Sequence, residues 1–210
     1  MQISMRKRRA DPYFRAAAYK ILGSLYEYPG DSFLKKIDQE IQKIRNIFFE
    51  LKKADPFKDI PTLEDPFIHI KDLPLEEIQA EYVNLFEYIP LCPPYETSYI
   101  SVEPMEVIIS LMDCYKKFGL DMAQPYPPDY LMFELEFMQY LIQKEEISWQ
   151  KKFLQEHLTV WIPDFCECLR KNAHLPFYQS IASLTDHFIS LDLKYVLSLL
   201  SNNSIKKQRR

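Results

Sequence analysis

From Asp31 onward the chain places apolar residues at Leu34, Ile37, Ile41, Ile44, Phe48 and Leu51, alternating steps of three and four that set all six on one face of a helix. Upstream, Asp11 followed by Pro12 is a helix start, a capping carboxylate with proline in the first turn. An alanine-rich run then continues to Tyr28, where Pro29 and Gly30 stop it. Leu75, Ile78, Tyr82, Leu85 and Phe86 make a further stripe over 75–86. Additional helices are predicted over 103–118, 129–146, 149–172 and 176–200, with a kink at Pro163 and a break near Asp192. Two connectors are rich in proline. The first, 54–74, holds Pro56, Pro61, Pro66 and Pro74 and reads as a long surface loop. The second, 119–128, holds Gly119, Pro125, Pro127 and Pro128, after which Asp129 caps the next helix. No strand pattern competes, and no internal repeat is visible. The expected fold is all-α, a single helical-bundle domain over 10–202 with long Pro-rich connecting loops.

Composition narrows what such a bundle can do. With 47% hydrophobic residues in 210, the chain can bury a sizeable core. Only Gly23, Gly30 and Gly119 are glycines, so no glycine-rich phosphate loop can be built and the common nucleotide enzymes are excluded. The formal charge is −4, but eight of the 26 basic residues sit in the ends 1–9 and 203–210, which are expected to be disordered. The remaining 18 basic residues stand against 30 acidic ones, so the body carries −12. Such a body repels nucleic acid, and it either attracts a cationic partner or simply keeps the surface solvated.

No run approaches the ~20 apolar residues of a membrane span, so stable membrane insertion is not expected. Arg6 to Arg9 resemble a secretory n-region, yet Asp11 and Arg15 bring charge where an apolar stretch would follow. A cytoplasmic location is expected. Cys92, Cys114, Cys166 and Cys168 show no metal-ligand spacing and read as reduced cysteines without a shared metal. His69, His157, His174 and His187 form no paired ligand motif and read as surface or packing residues. No nucleophile elbow is present, so the chain is not expected to be an enzyme. Contact with GTP or molybdopterin finds no support in the residues, and no cofactor is expected.

Two segments depart from routine helical patterning. On the helix expected from Asp129, a 100° step puts Asp129, Glu136, Gln139 and Gln143 on a polar face and Glu134 opposite, in the middle of the apolar arc. A buried carboxylate needs a partner or a proton, so Glu134 is either a brace between helices or a ligand contact. The second segment is Leu91-Cys92-Pro93-Pro94-Tyr95-Glu96-Thr97-Ser98-Tyr99, just after the Tyr82, Leu85, Phe86 stripe. Paired prolines stiffen it, and tyrosines on a stiff scaffold suit peptide recognition as well as they suit covering a core.

These segments also carry a family likeness. Tyr82-Val83-Asn84-Leu85-Phe86 resembles an aromatic-x-x-Leu-Phe motif, followed by Pro93-Pro94-Tyr95-Glu96-x-Ser98-x-Tyr99. Asp129-Tyr130 with Glu134-Leu135-Glu136-Phe137-Met138 is similar to Asp-His-x-x-x-Glu-Leu-x-Phe-Met, with Tyr130 standing where the histidine is usual. A Phe-Leu-x-x-His-Leu and Trp-Ile-Pro-x-Phe series over 153–165 and Pro176-Phe177-Tyr178 complete the set. Together they resemble the TorD, DmsD and NarJ family of redox-enzyme maturation chaperones.

The resemblance implies a chaperone for a molybdopterin-containing oxidoreductase, binding the apo catalytic subunit's twin-arginine signal peptide or N-terminal segment until cofactor insertion is complete. The expected peptide-binding residues are Tyr82, Leu85, Phe86, Pro93, Pro94, Tyr95, Glu96, Ser98, Tyr99, Asp129, Tyr130 and Glu134. Glu81, Glu96 and Asp129 are expected to draw in the arginines, and the aromatic stripe to receive the apolar part. The alternative is an assembly subunit that binds the folded catalytic subunit without reading a signal. The chain is expected to be a monomer, or a dimer that swaps helices through 119–128.

Overall fold

The structure, a computed structural model, describes residues 9–61, 70–121 and 126–208, with side chains described to Ser201. Arg6 to Arg8, Pro66, His69 and residues 122–125 of the second connector lie outside the described residues. The helices are α1 (Pro12–Leu25), α2 (Phe33–Lys52), α3 (Leu75–Phe86), α4 (Pro104–Lys117), α5 (Leu131–Gln143), α6 (Ile147–Phe153), α7 (Thr159–Asn172) and α8 (Pro176–Gln208). Among the described residues there is no strand, only one isolated antiparallel bridge between Tyr95 and Tyr130. The all-α expectation holds.

Local signals explain most boundaries. Asp11 caps α1, its carboxylate accepting from the Tyr13 N–H at 2.9 Å. The helix ends at Leu25, three residues short of Tyr28, and Pro29 disfavours the helical conformation at Tyr28 itself. On α2, Ile37, Ile41, Ile44, Phe48 and Leu51 of the predicted stripe are buried and Leu34 is half-buried. Gly119, at φ 69°, occupies the left-handed position after α4 that a glycine adopts without strain. The connector after α2 does more than cross the surface. Its 3₁₀ turn Phe57–Asp59 drives Phe57 into the core, where its ring lies 6.0 Å from Phe188 and 5.4 Å from Tyr195.

The predicted helix over 149–172 is three pieces. Between α6 and α7 the backbone opens into a π turn, Leu154–Leu158, where the Thr159 N–H and hydroxyl both reach the Leu154 carbonyl, the hydroxyl at 2.7 Å. Pro163, which has no amide to offer the Thr159 carbonyl, lies one turn further on, so the irregularity precedes the proline. α8, in contrast, runs unbroken through Asp192 and its backbone extends past residue 202. The predicted break fails because Asp192 faces inward and is satisfied there.

Asp192 receives the Arg15 guanidinium at 2.6 and 2.8 Å and the Tyr19 hydroxyl at 2.9 Å. Arg15 also reaches the Gln150 side-chain oxygen at 3.1 Å, and the Gln150 amide donates to the Leu141 carbonyl at 3.0 Å. All four side chains are buried, so α1, α6 and α8 share one fully paired polar knot. Around it α1 packs mainly on α5 and α2, and α7 on α8.

Removing one partner of a buried ion pair leaves the other charge unsolvated. Asp192→Ala is therefore expected to cost about 3–5 kcal/mol in chemical denaturation, and Asp192→Asn, which still accepts from Arg15 and Tyr19, distinctly less.

Candidate functional site

The Leu91–Tyr99 loop leaves α3 already anchored, the Leu91 N–H donating to the Asn84 carbonyl at 3.2 Å and that of Cys92 to Leu85 at 2.9 Å. Pro93 and Pro94 then extend the backbone beside the residues preceding α5. Leu131 N–H donates to Pro94 O at 3.0 Å, and Glu96 N–H to Asp129 O at 3.1 Å, framing the Tyr95–Tyr130 bridge. Extended backbone sends successive side chains to opposite sides. Tyr95 accordingly stays half-exposed while Glu96 is buried. The loop and the Asp129 segment are in direct contact, as two walls of one feature.

Asp129 does not cap its helix. Its carboxylate accepts from the Thr97 N–H at 3.1 Å and the Thr97 hydroxyl at 2.6 Å, pinning the 3₁₀ turn Glu96–Ser98. α5 starts at Leu131 with Tyr130 at its N-cap, so Asp129 lies off the polar face on which helical phase put it. Thr97, the middle residue of that turn, is the stronger competitor for that carboxylate.

Beneath the loop lies a buried acid–imidazole cluster. His157 Nδ1 meets Glu96 Oε2 at 3.0 Å, and its Nε2 meets the Ser110 hydroxyl at 3.2 Å. Burial opposes the imidazolium, yet hydrogen bonds to Cys114 and Glu96 and attraction to Glu96 outweigh it and hold His157 up at about 9. Glu134, wholly buried as its helical phase predicts, accepts from Trp161 Nε1 at 3.1 Å. Its other oxygen has no donor, and Glu96 is close by. Burial first, and the nearby Glu96 charge second, raise the Glu134 pKa well above the usual carboxylate range, which favours its protonated form.

Above the cluster lies an aromatic strip in which Tyr82 and Tyr130, both expected to contact peptide, are buried, and Tyr95 is half-exposed. Tyr28 and Tyr82 rings lie 5.3 Å apart, Tyr95 and Tyr130 5.6 Å, and Tyr126 and Tyr130 stack at 4.8 Å. Tyr82 and Tyr130 are close enough to perturb each other's phenols, and burial pushes the Tyr130 pKa up to about 12. Tyr28 and Tyr126 are about half exposed. Glu27 and Glu87 are close enough to raise the phenol pKa values of this strip, Glu27 acting on Tyr130 and Glu87 on Tyr82 and Tyr95. Next to it, Tyr88 and Ile89 are almost fully exposed, Tyr88 at φ 58° in the left-handed region. From Tyr28 and Glu27 a groove of about 580 Å³ runs between α1 and α2, floored by Ala17, Ile21, Phe33 and Ile37.

Several predicted contacts therefore sit elsewhere. Leu85 and Phe86 face the core, Phe86 against Tyr82, Phe165 and Tyr178, because the helical stripe they belong to is the packing stripe. Pro94 is buried, Pro93 half-buried and Ser98 exposed. Tyr99 stacks on Trp161 at 5.8 Å as part of the floor. The acidic trio Glu81, Glu96 and Asp129 is buried and engaged internally, Glu81 accepting from the His174 and Leu175 N–H groups at 2.5 and 3.2 Å ahead of α8. None of the three is open to a partner's arginine in this conformation. The carboxylates beside the tyrosines that do reach solvent are Glu27, exposed, and Glu87, half-exposed, which helical phase alone did not single out. His157, read as a packing residue, was detectable only as the histidine of the Phe-Leu-x-x-His-Leu match.

The cysteines also differ from expectation. Cys92 and Cys168 form a disulfide with Cα atoms 5.8 Å apart, tying the start of the loop to α7, while Cys114 and Cys166 are free and buried. The partners are 76 residues apart, a separation from which no spacing rule can read a pair.

The proton on Glu134 gives a stability signature. A carboxyl whose folded pKa is raised binds its proton more tightly in the native state, so its burial disfavours folding increasingly as pH rises above the unfolded carboxylate range. Glu134→Gln, which keeps an acceptor for Trp161 and offers Glu96 a donor, is expected to stabilise the protein at pH 7, the gain fading as pH falls towards 4. For His157, whose folded pKa is raised, the stabilisation is fully present below about 6.5 and is lost as pH rises through about 9. Denaturation midpoints of both proteins between pH 4 and 10 measure each effect.

The sequence profile of the nitrate reductase delta subunit family matches residues 51–167, more than half of the chain. The chaperone protein TorD of Shewanella loihica is 23% identical over 198 residues, covering 85% of this chain and 90% of that protein. TorD of Vibrio parahaemolyticus is 29% identical across 58% of this chain and 65% of its own length. The perchlorate reductase assembly chaperone of Dechloromonas aromatica is 28% identical across 60% and 65%. Among solved structures, a redox enzyme maturation protein of Archaeoglobus fulgidus superposes with a TM-score of 0.53 over 90% of this chain and 98% of its own, at 19% identity, a likeness of fold. With the profile spanning α3 through α7, the loop and the buried cluster included, the chain belongs to the nitrate reductase delta subunit family, the group of TorD- and NarJ-like redox-enzyme maturation proteins.

Proposed function

We propose that this chain is a maturation chaperone for a molybdopterin-containing oxidoreductase, and that it holds the client's twin-arginine signal peptide, or an equivalent N-terminal segment, until cofactor insertion is complete. Family membership supports the first part, together with relatives named as chaperones, one of them for perchlorate reductase assembly. The observation that carries the second is the tyrosine strip, open to solvent at Tyr28 and Tyr126 and in part at Tyr95 over the buried Tyr82 and Tyr130, with Glu27 and Glu87 beside it.

An arginine pair followed by an apolar stretch needs two kinds of surface. Planar guanidinium groups stack on tyrosine faces and pair with carboxylates at the rim. The apolar stretch then has the groove between α1 and α2, which shares Glu27 and Tyr28 with the strip. Holding the signal in this way blocks export while the client is unfinished, and no bond is made or broken. The site of action is the cytoplasm, where the client is synthesised.

Titration with a synthetic peptide of two adjacent arginines followed by an apolar stretch tests the reading. Micromolar or tighter binding is expected, weakened roughly 2–5-fold by Tyr126→Ala through loss of one cation–π contact. Glu27→Gln with Glu87→Gln should weaken it further and flatten its salt dependence. The melting temperature should not change, since these side chains lie outside the core. Absence of peptide binding, combined with a client complex that survives removal of the client's N-terminal segment, would make this chain an assembly subunit instead.

A further inference from the structure

The Cys92–Cys168 bridge plays no part in peptide contact or in the buried cluster, yet it is fastened to the site. Cys92 immediately precedes Pro93 and lies three residues before Tyr95. Cys168 stands near the end of α7 and is half-buried, whereas Cys92 is fully buried, so Cys168 Sγ is the sulfur with access to solvent. Asn172 Nδ2 lies 3.4 Å from Cys168 Sγ and 3.8 Å from Cys92 Sγ, a donor beside whichever thiolate departs. Cys114 and Cys166 are both buried and free, and burial pushes the Cys166 thiol far up. The reactive pair is thus the one that spans loop and helix.

We infer that Cys92 and Cys168 form a reversible thiol–disulfide lock that fixes the Pro93-Pro94 loop when oxidised and loosens the peptide surface when reduced. The effect on peptide binding and the reducing compartment rest on the proposed function; the Cys92–Cys168 pairing does not. Disulfides are uncommon in reducing compartments unless they are catalytic or sensing, and among the described residues no catalytic partner stands beside this one.

The exchange is a two-electron step with a dithiol reductant. Its thiolate attacks Cys168 Sγ, the S–S bond breaks, and Cys92 leaves as a thiolate that takes up a proton. The reductant's second thiolate displaces Cys168 from the mixed disulfide, Cys168 is protonated in turn, and the reductant departs as a cyclic disulfide. A disulfide oxidant drives the reverse. After reduction the far half of the loop stays fixed through Glu96–His157 and Thr97–Asp129. The near half, from Glu87 to Tyr95, loses its covalent tie to α7 and is left with its backbone bonds to α3 and α5, the Tyr95–Tyr130 ring contact and the approach of Cys168 Sγ to the Leu91 carbonyl at 3.2 Å, and it carries the exposed Tyr88, Ile89 and Leu91.

Hydrogen exchange of residues 87–95, with and without dithiothreitol, reads the lock directly. The same two states, and Cys168→Ser, are then titrated with the arginine-pair peptide. Faster exchange confined to this segment in the reduced protein and in Cys168→Ser, with unchanged helical circular dichroism, is expected. Peptide affinity should fall about tenfold, the cost of re-ordering a few side chains. Local loosening with no peptide binding in either state would support the lock and overturn the peptide reading. Four titratable thiols after equilibration with a disulfide oxidant, or identical exchange in both states, would overturn the lock.

Discussion

A carboxylate cannot enter a protein interior alone, and Glu96 enters with two companions: an imidazolium on one side and a protonated carboxyl on the other. The three side chains come from the loop, α5 and the π turn before α7, so satisfying one charge brings three segments to a common point. Everything above that point inherits its position. Because Glu96 must face inward, extended backbone geometry turns Tyr95 outward, and the bridge to Tyr130 then assembles the aromatic strip from residues far apart in sequence. The surface proposed to bind peptide is in this sense the outer face of a buried electrostatic requirement.

A second, separate knot of charge at Arg15 and Asp192 performs the same office for the helices of the first and last thirds of the chain. The two knots differ in composition. Arg15 and Asp192 are matched one to one and supplied with neutral donors and acceptors, which suits a permanent join. The loop cluster instead contains a carboxyl with a raised pKa and an imidazole, both of which respond to acidity.

Periodicity made the helices legible because burial and helical phase are the same information: the α2 stripe and inward-facing Glu134 could both be read from 3.6-residue spacing. It misled where a residue's fate is set by a distant partner. Asp129 was claimed by Thr97, Asp192 by Arg15, and Cys168 by Cys92, none of which a local window contains. The same limit explains the acidic trio. Glu81, Glu96 and Asp129 look like a cationic docking surface in sequence, and all three are occupied within the fold. Leu85 and Phe86, also placed in the site by sequence, follow the opposite logic, since the stripe that made them conspicuous is the stripe that buries them.

The π turn at Leu154–Leu158 adds one residue to a helical circuit and so sets the angular position of His157 relative to α6. Removing a single residue there would let α6 and α7 fuse into one straight helix and carry the imidazole about a quarter-turn from Glu96. In this segment the number of residues is as informative as their identity. A relative that retained the histidine but shortened the turn would keep its spelling and lose the contact to Glu96.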